Sequence, residues 1–599
     1  MRGKSEKGDI ALFAALAMAL IFLIVGAVRN RSVQLENRAS IETLNHWESF
    51  YADEIAIWHN YVRNGGGMTF TPPSGVTADS SGAYPIPFQN QFSVLTGSLV
   101  GNYTPGSYTT GKPVNGASTV SRDPASVAIR RYTGSNVGYY PPNAGRYCAK
   151  INFPGSPRPY PLCLVIPPAT LKVTAGYRST CAVSTSGTLK CWGFNDVGQL
   201  GAGNYFVHGT ASNSMSQLPV IPVGTGRTVR SVGMGFRNTN TGNVHTCVAL
   251  DNGTVRCWGG PNQYAELGTG NGLGYGGTSN SIGDNIPLVS LGTGRTAISV
   301  SVGGIHTCAL LDNRQVKCWG FIGAIGYGNT GSNLGDSPSE MGDNLPYIDV
   351  SPGTTVLAIA AGQQHTCMIL NTGQVKCWGL NDNGQLGVGD PTERINAQGV
   401  PTVNLGTGRT ATAIAVGGRF TCALLDDSSV KCWGHNGNGQ LGTGTTYNHG
   451  DRTAANYAMG DQLPVVDLGT GRKAVAIAAA DTHACAILEN QKVKCWGNGP
   501  FLGLGISDSS RFIGDGPNEM GDNLPYVDLG NDPSLSTNPF IPVSISAASH
   551  VCAVSQLGRI KCWGKNEYGE LGVSPDGDTR GDGPNEMGNL LPFAGVTWP

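Results

Sequence analysis

Charge is scarce in this chain. Only 13% of its 599 residues are Asp, Glu, Lys or Arg, the formal net charge is -1, and no Lys/Arg-rich run occurs beyond residue 31. Phosphate recognition begins with a basic patch, so a nucleic-acid partner is not expected. Also missing, in any supporting context, are the G-x-S-x-G, H-E-x-x-H, P-loop and dinucleotide fingerprints that place a nucleophile, a metal or a phosphate. Without such a constellation the chain is not expected to be an enzyme. Long apolar runs are rare too: residues 10–28, IALFAALAMALIFLIVGAV, form a single charge-free run of 19 residues.

What is abundant is glycine, at 88 residues, with 35 prolines. That balance favours many short strands joined by tight turns and predicts a mainly β protein. The 16 cysteines recur at regular spacing, which predicts oxidised pairs and an oxidising compartment.

The N-terminal part reads differently. Residues 10–28 are close to the ~20 residues a membrane-spanning helix needs. Ile41, Leu44, Trp47, Tyr51, Ile55, Trp58 and Val62 continue at three- and four-residue steps, so one long helix over 9–63, half in lipid and half amphipathic, is predicted. The basic leader 1–8 ending in Gly8, the apolar stretch directly after it and the amphipathic continuation resemble a type IV prepilin. That resemblance implies cleavage between Gly8 and Asp9 and other pilins as partners. Most such pilins carry Glu at the fifth mature position, where this chain has Phe13, and a plain signal anchor is the alternative. Residues 64–170 are rich in Gly, Ser, Thr, Tyr and Pro and are expected to form a small pilin-like or stalk domain containing β-structure. Cys148 and Cys163 are close enough in sequence for a local disulfide.

From residue 171 to 599 the chain repeats itself. The tripeptide CWG occurs at 191–193, 257–259, 318–320, 377–379, 432–434, 495–497 and 562–564. Around it recur an AIAAG-like strand upstream, GQLG or GELG downstream (198–201, 384–387, 439–442, 569–572) and a linker of the LPxVDLGTGR type (463–472). Each unit offers about four short strands. The order strand, G-x-x-H-T, hairpin, W-G-x-N-x-x-G-Q-L-G resembles the repeat of the regulator of chromosome condensation family, which implies a seven-bladed β-propeller. One blade cannot bury both its faces alone, whereas a closed ring of seven covers them. Closure is expected from LPFAGVTW at 591–598 added to the first blade, with PLCLVI at 161–166 as the competitor.

Nine residues separate the cysteines of each repeat: Cys181 and Cys191, Cys247 and Cys257, Cys308 and Cys318, Cys367 and Cys377, Cys422 and Cys432, Cys485 and Cys495, Cys552 and Cys562. An odd spacing around a tight turn sets the two residues opposite each other on adjacent antiparallel strands, with Cα atoms roughly 4.5 to 5.5 Å apart. A disulfide closes at that distance and contributes about 2.5 to 3 kcal/mol in the chain-entropy model. Zinc fits less well, because structural sites draw four convergent ligands from closely spaced pairs. The histidine two residues before the first cysteine is also replaced by Ser179 in the first repeat and Phe420 in the fifth. The histidines at 245, 306, 365, 483 and 550 recur too regularly for a unique catalytic base and read as structural.

One set of carboxylates invites a cofactor. DSPSEMGDNLP at 336–346 and DGPNEMGDNLP at 515–525 align Asp336, Glu340 and Asp343 with Asp515, Glu519 and Asp522, which could hold calcium. Solvated turns bonding their own backbone are the favoured reading, since no D-x-D-x-D-G loop is present. These features together predict a bacterial envelope protein, anchored in the inner membrane or built into a pilus, with an extracytoplasmic disulfide-braced propeller. Its expected role is adhesion or recognition of a protein or surface glycan. A membrane-anchored periplasmic propeller that binds or inhibits another protein is the alternative.

Overall fold

The computed structural model describes residues 172–598 apart from 211–214, 237–243, 351–352, 452–457, 532–538 and 574–576. It also describes the backbone of four short strands before them: Thr69–Thr71, Arg130–Arg131, Arg146–Asn152 and Tyr160–Val165. The leader, the Gly8–Asp9 junction, the predicted helix 9–63 and its span 10–28 lie outside the described residues. Among the described residues no helix is long and apolar enough to cross a membrane.

The chain divides into two compact units, one within residues 1–168 and one over 169–599. In the first, Arg146–Asn152 pairs antiparallel with each of the other three strands. Cys148 stands opposite Cys163 in that register, as a local disulfide requires; their side chains lie outside the described residues. Residues 160–165 are thus taken up by this sheet, and PLCLVI does not join the ring.

The second unit is a ring of seven sheets, each built on three consecutive antiparallel strands, with a fourth strand in blade 6. The first strands, one per blade, are Lys172–Gly176, Val229–Met234, Ala297–Val302, Val356–Ala361, Ala411–Val416, Ala474–Ala479 and Pro542–Ala547. They touch one another around the ring, which makes them the innermost. Each has a bulge near its start, except in blade 1, adding twist where strands crowd the axis. The second and third strands, such as His365–Leu370 and Val375–Gly379 in blade 4, are buried along their whole length, except for Asn498 at the end of the third strand of blade 6. Both faces of such a strand meet a neighbouring blade, which is why its apolar residues do not alternate with solvent-facing polar ones.

The fourth strand is shorter than the repeat suggests. In six blades it is a single bridge, for example Gly193 to His208 and Gly434 to His449, and blade 6 adds a two-residue strand, Phe512–Ile513. The glycine of every CWG explains this. Its φ lies between 99° and 114°, so the chain leaves the extended conformation there, and a Cβ on Gly193 would sit 2.5 Å from the Arg178 carbonyl.

Ring closure departs from the sequence expectation. Residues 591–598 add no strand to blade 1. They follow the path of the other linkers: the Ala594 amide donates to the Ile560 carbonyl as Val466 does to Val430 and Val527 to Val493. The ring closes because blade 1 packs on blade 7, with Val173, Ala182, Trp192, Met215 and Leu218 against Cys552, Val554, Ile560 and Cys562. Closure therefore uses the same kind of contact as every internal seam.

Candidate functional site

Chemistry-bearing side chains concentrate at the seams between blades. All seven repeat cysteine pairs are disulfides with Cα atoms 4.0–4.1 Å apart, slightly closer than opposed residues usually stand. Each sits on the face of its hairpin that meets the following blade. Cys367 and Cys377 of blade 4, for instance, pack with Ala423, Leu425 and Trp433 of blade 5. Every CWG tryptophan is buried, so the repeated pairing is a disulfide on one side of a seam and an indole on the other.

The histidine and threonine of the H-T-C step belong to the same seams. His245 Nε2 lies 2.8 Å from Thr307 Oγ1 of the next blade, His306 2.6 Å from Thr366, His365 3.1 Å from Thr421, and His550 2.6 Å from Thr180 across the closing seam. The threonine hydroxyl in turn donates to a loop carbonyl of the histidine's own blade: Thr307 to Glu266, Thr421 to Gln385 and Thr180 to Glu570. A hydroxyl that gives its proton to a carbonyl must accept from the imidazole, so Nε2 carries the hydrogen. The same carbonyls accept the tryptophan Nε1–H, at 3.0 Å for Trp319 on Glu266 and Trp433 on Gln385 and 2.9 Å for Trp192 on Glu570. The last glycine of GQLG makes room for that indole; a Cβ on Gly201 would lie 2.6 Å from Trp258 Nε1. Burial holds His245, His306, His365, His483 and His550 down at about 3. All five are neutral and locked in the interior, and His245, His306, His365 and His550 donate across their seams, in accord with a structural role.

Three seams depart from the pattern. Between blades 1 and 2, Ser179 replaces the histidine, while Thr246 and Trp258 still reach the Gln199 carbonyl. Between blades 5 and 6 both partners change, to buried Phe420 and Ala484, and Trp496 keeps its bond to Gln440. Between blades 6 and 7, His483 is retained but the residue expected to receive it is Val551. Among the described residues neither His483 nitrogen has a partner, and Trp563 Nε1 and Asn498 Oδ1 are also buried without one. Loop length is not the cause, since blade 3 has an equally short loop and Trp378 still donates to Ala324 at 3.0 Å. Phe501 occupies the place of Ala324 and stacks its ring on His483 at 5.4 Å.

The opposite ends of the blades hold a second recurring network. The lysine before CWG reaches linker carbonyls: Lys431 to Leu405 and Gly460, Lys494 to Leu468 and Gly521, Lys561 to Leu529 and Gly588. Burial lowers the Lys431 and Lys494 pKa, partly offset by nearby carboxylates.

The calcium candidates fall into this framework. Asp343 accepts from the amide and hydroxyl of Thr293, and Asp522 from those of Thr470, as Asp461 does from Thr407. Glu340 Oε2 accepts from the amides of Gly335 and Ser337, and Glu519 Oε2 from those of Gly514 and Gly516. Burial and the adjacent glutamate raise the pKa of Asp336 and Asp515. Each trio is thus divided between two separate turn contacts, and among the described residues no group of three or more His, Cys, Asp or Glu side chains could hold a metal ion.

One position breaks the repeat electrostatically. Gln199 and Gln385 each accept from a loop amide and donate Nε2–H to an acidic residue, Asp196 and Asp382. Blade 2 has Glu266 there, which accepts from the Tyr264 amide, and blade 7 has Glu570. Glu570 Oε2 accepts from the Tyr568 amide, its Oε1 is buried without a partner among the described residues, and burial raises its pKa to about 6. Beside it, Glu567 takes Arg178 at 3.0 Å and Lys565 at 2.7 Å.

A ring of seven sheets with these seams defines a β-propeller whose blades are disulfide-braced. Comparison with known proteins adds the repeat type. Residues 171–199, 356–385 and 411–440, and residues 372–424 and 427–487, match two models of the regulator of chromosome condensation (RCC1) repeat. The chain holds an RCC1-repeat propeller. It is similar to the ultraviolet-B receptor UVR8 of Arabidopsis thaliana, 28% identical over 57% of this chain and 67% of that one. It is also similar to the mitochondrial RCC1 domain-containing protein RUG3 of the same plant, 26% identical over 62% and 74%. The crystal structure of human WBSCR16 aligns with 65% of this chain and 91% of its own at 21% identity and a TM-score of 0.48. Seven buried disulfides are the chemistry of an oxidising, extracytoplasmic compartment.

Sequence reasoning found the seven repeat disulfides and gave the histidines a structural place. It missed the threonine as the histidine's receiver, the lysine anchors and the aspartate clamps. The signal was present in the repeats themselves: wherever a blade has histidine the next has threonine, except at Val551, and Phe420 is followed by Ala484.

Proposed function

We propose that the propeller is a non-enzymatic recognition head of a bacterial surface protein, tethered by the N-terminal apolar segment or incorporated into a pilus, with adhesion as its role. The observation that supports this most is the set of apolar side chains at equivalent loop tips. Phe206, Leu273 and Tyr447 stand eleven residues after the buried loop asparagine of their blades and are 74%, 62% and 56% exposed. Asn195 donates to the Phe206 carbonyl and Asn262 to the Leu273 carbonyl, so two of these tips are held from beneath. Exposed apolar groups on a rigid frame supply contact area at little ordering cost. The ligand class that fits is a protein or glycan surface bound through the loop edge.

Protease added to intact cells tests the location: cleavage of the head agrees with surface display. Protection on intact cells, with cleavage only after the outer membrane is opened, would favour the periplasmic binding propeller. Replacing Phe206, Leu273 and Tyr447 together by serine is expected to abolish attachment of cells without changing the melting temperature of the head.

A further inference from the structure

The seven disulfides are alike in sequence, geometry and burial, yet the seams covering them are not. Every seam but one retains a tryptophan Nε1–H bond to the preceding blade: Trp192, Trp258, Trp319, Trp378, Trp433 and Trp496 all have an acceptor. Among the described residues the seam between blades 6 and 7 lacks this bond and the histidine–threonine bond as well. His483 and Cys485 are two apart on one strand and share its face, so this seam is what covers Cys485 and Cys495.

We propose that this seam opens first and that Cys485–Cys495 is the thiol-exchange site of the ring, the disulfide that a dithiol reductant reaches before the other six. The step is ordinary exchange. A reductant thiolate attacks one cysteine sulfur, breaking the S–S bond, forming a mixed disulfide and releasing the other cysteine as a thiolate that takes a proton from water. The reductant's second thiol then attacks its own sulfur in the mixed disulfide and leaves as a cyclic disulfide, freeing the second cysteine. Two electrons pass from the dithiol to the protein. All seven sulfur pairs are shielded in the closed ring. Exchange under native conditions therefore reports how often each seam opens.

The test uses the full chain in native buffer with dithiothreitol. Free thiols are alkylated at intervals and the modified cysteines are identified by mass spectrometry. Cys485 and Cys495 are expected to be labelled first, about tenfold ahead of any other pair, since a buried polar group without a partner shifts an opening equilibrium by roughly that factor or more. Val551→Thr gives His483 a receiver of the same shape and is expected to remove most of this lead. Thr307→Val creates the same mismatch between blades 2 and 3, where Cys247 Sγ lies 3.7 Å from Thr307 Oγ1. It should bring Cys247–Cys257 forward. Simultaneous reduction of all pairs, or another pair leading in the unsubstituted protein, would overturn the proposal. So would an order unmoved by both substitutions.

Discussion

The seam between blades 4 and 5 and the seam between blades 6 and 7 start from the same histidine and end differently. In the first, His365 finds Thr421, Thr421 finds the Gln385 carbonyl, and Trp433 shares that carbonyl at 3.0 Å. In the second, a valine methyl stands where the hydroxyl would be, and the imidazole and indole N–H groups are buried without acceptors. A partnerless buried donor costs about 1–3 kcal/mol, so the two seams differ by more than the net worth of the bonds themselves. The seam between blades 5 and 6 shows the alternative that avoids this cost. Phe420 and Ala484 remove donor and receiver together, leaving nothing unsatisfied. The polar relay is thus one of two workable solutions, and half of it is worse than none.

Acid should break this contrast most strongly, because it removes every relay at once. The histidines are held at about 3 in the folded ring against an ordinary value of 6.5. Protons therefore bind the unfolded chain more readily, and the stabilisation present above pH 6.5 is lost progressively as pH falls toward 3. With five such groups the expected loss between pH 7 and pH 4.5 is on the order of 10 kcal/mol, seen as a steep fall in melting temperature. A melting temperature flat over that range would show that these imidazoles titrate freely in the folded protein.

Turning a complete seam into an incomplete one sharpens the comparison. Thr366→Val keeps the side-chain shape and leaves His306 Nε2–H facing a methyl group, where it now meets an oxygen at 2.6 Å. Destabilisation of about 2–3 kcal/mol is expected in urea unfolding. Adding His306→Phe should recover little, because the seam that tolerates phenylalanine faces it with the smaller Ala484. A loss below about 0.5 kcal/mol for the single substitution would mean that packing, with no help from the relay, holds these seams.

The comparison also shows what could be read in the sequence. Blade number, the hairpin register and the disulfides were legible because each depends on residues close together in the chain: nine intervening positions fix a hairpin wherever it lies. The fourth strand was overestimated, since the positive φ of the CWG glycine is a conformational fact that a glycine letter permits without declaring. Closure was misjudged for a related reason. LPFAGVTW looks like a spare strand, whereas its place is set by a linker contact repeated six times before it, Ala594 to Ile560 in this copy. The relay, the lysine anchors and the aspartate clamps all join residues roughly 25 to 60 positions apart, or 370 across the closing seam, and they appear only when blade n is read beside blade n+1. The helix 9–63 and the Gly8–Asp9 junction fall on residues outside the described structure.

The smallest expected effect lies at the closing seam, where the relay is complete but its neighbour is charged. Glu570 replaces the glutamine of blades 1, 4 and 5, and its pKa stands at about 6 against an ordinary 4.5 because burial disfavours the carboxylate. A carboxyl raised on folding favours the protonated state, so its contribution is fully present below about pH 4.5 and is lost as pH rises through 6. Glu567 opposes ionisation and Arg178 assists it, with Lys565 already paired to Glu567 at 2.7 Å. Glu570→Gln supplies an amide that can accept from Tyr568 and donate toward Glu567, as Gln385 does toward Asp382 at 3.0 Å. The variant should gain about 1–2 kcal/mol at pH 7.5 and nothing at pH 4.5, measured against the unsubstituted protein in urea at both values. An equal gain at the two pH values would assign the effect to the amide's bonds alone, and Glu570 would then ionise in the closed ring as readily as in the unfolded chain.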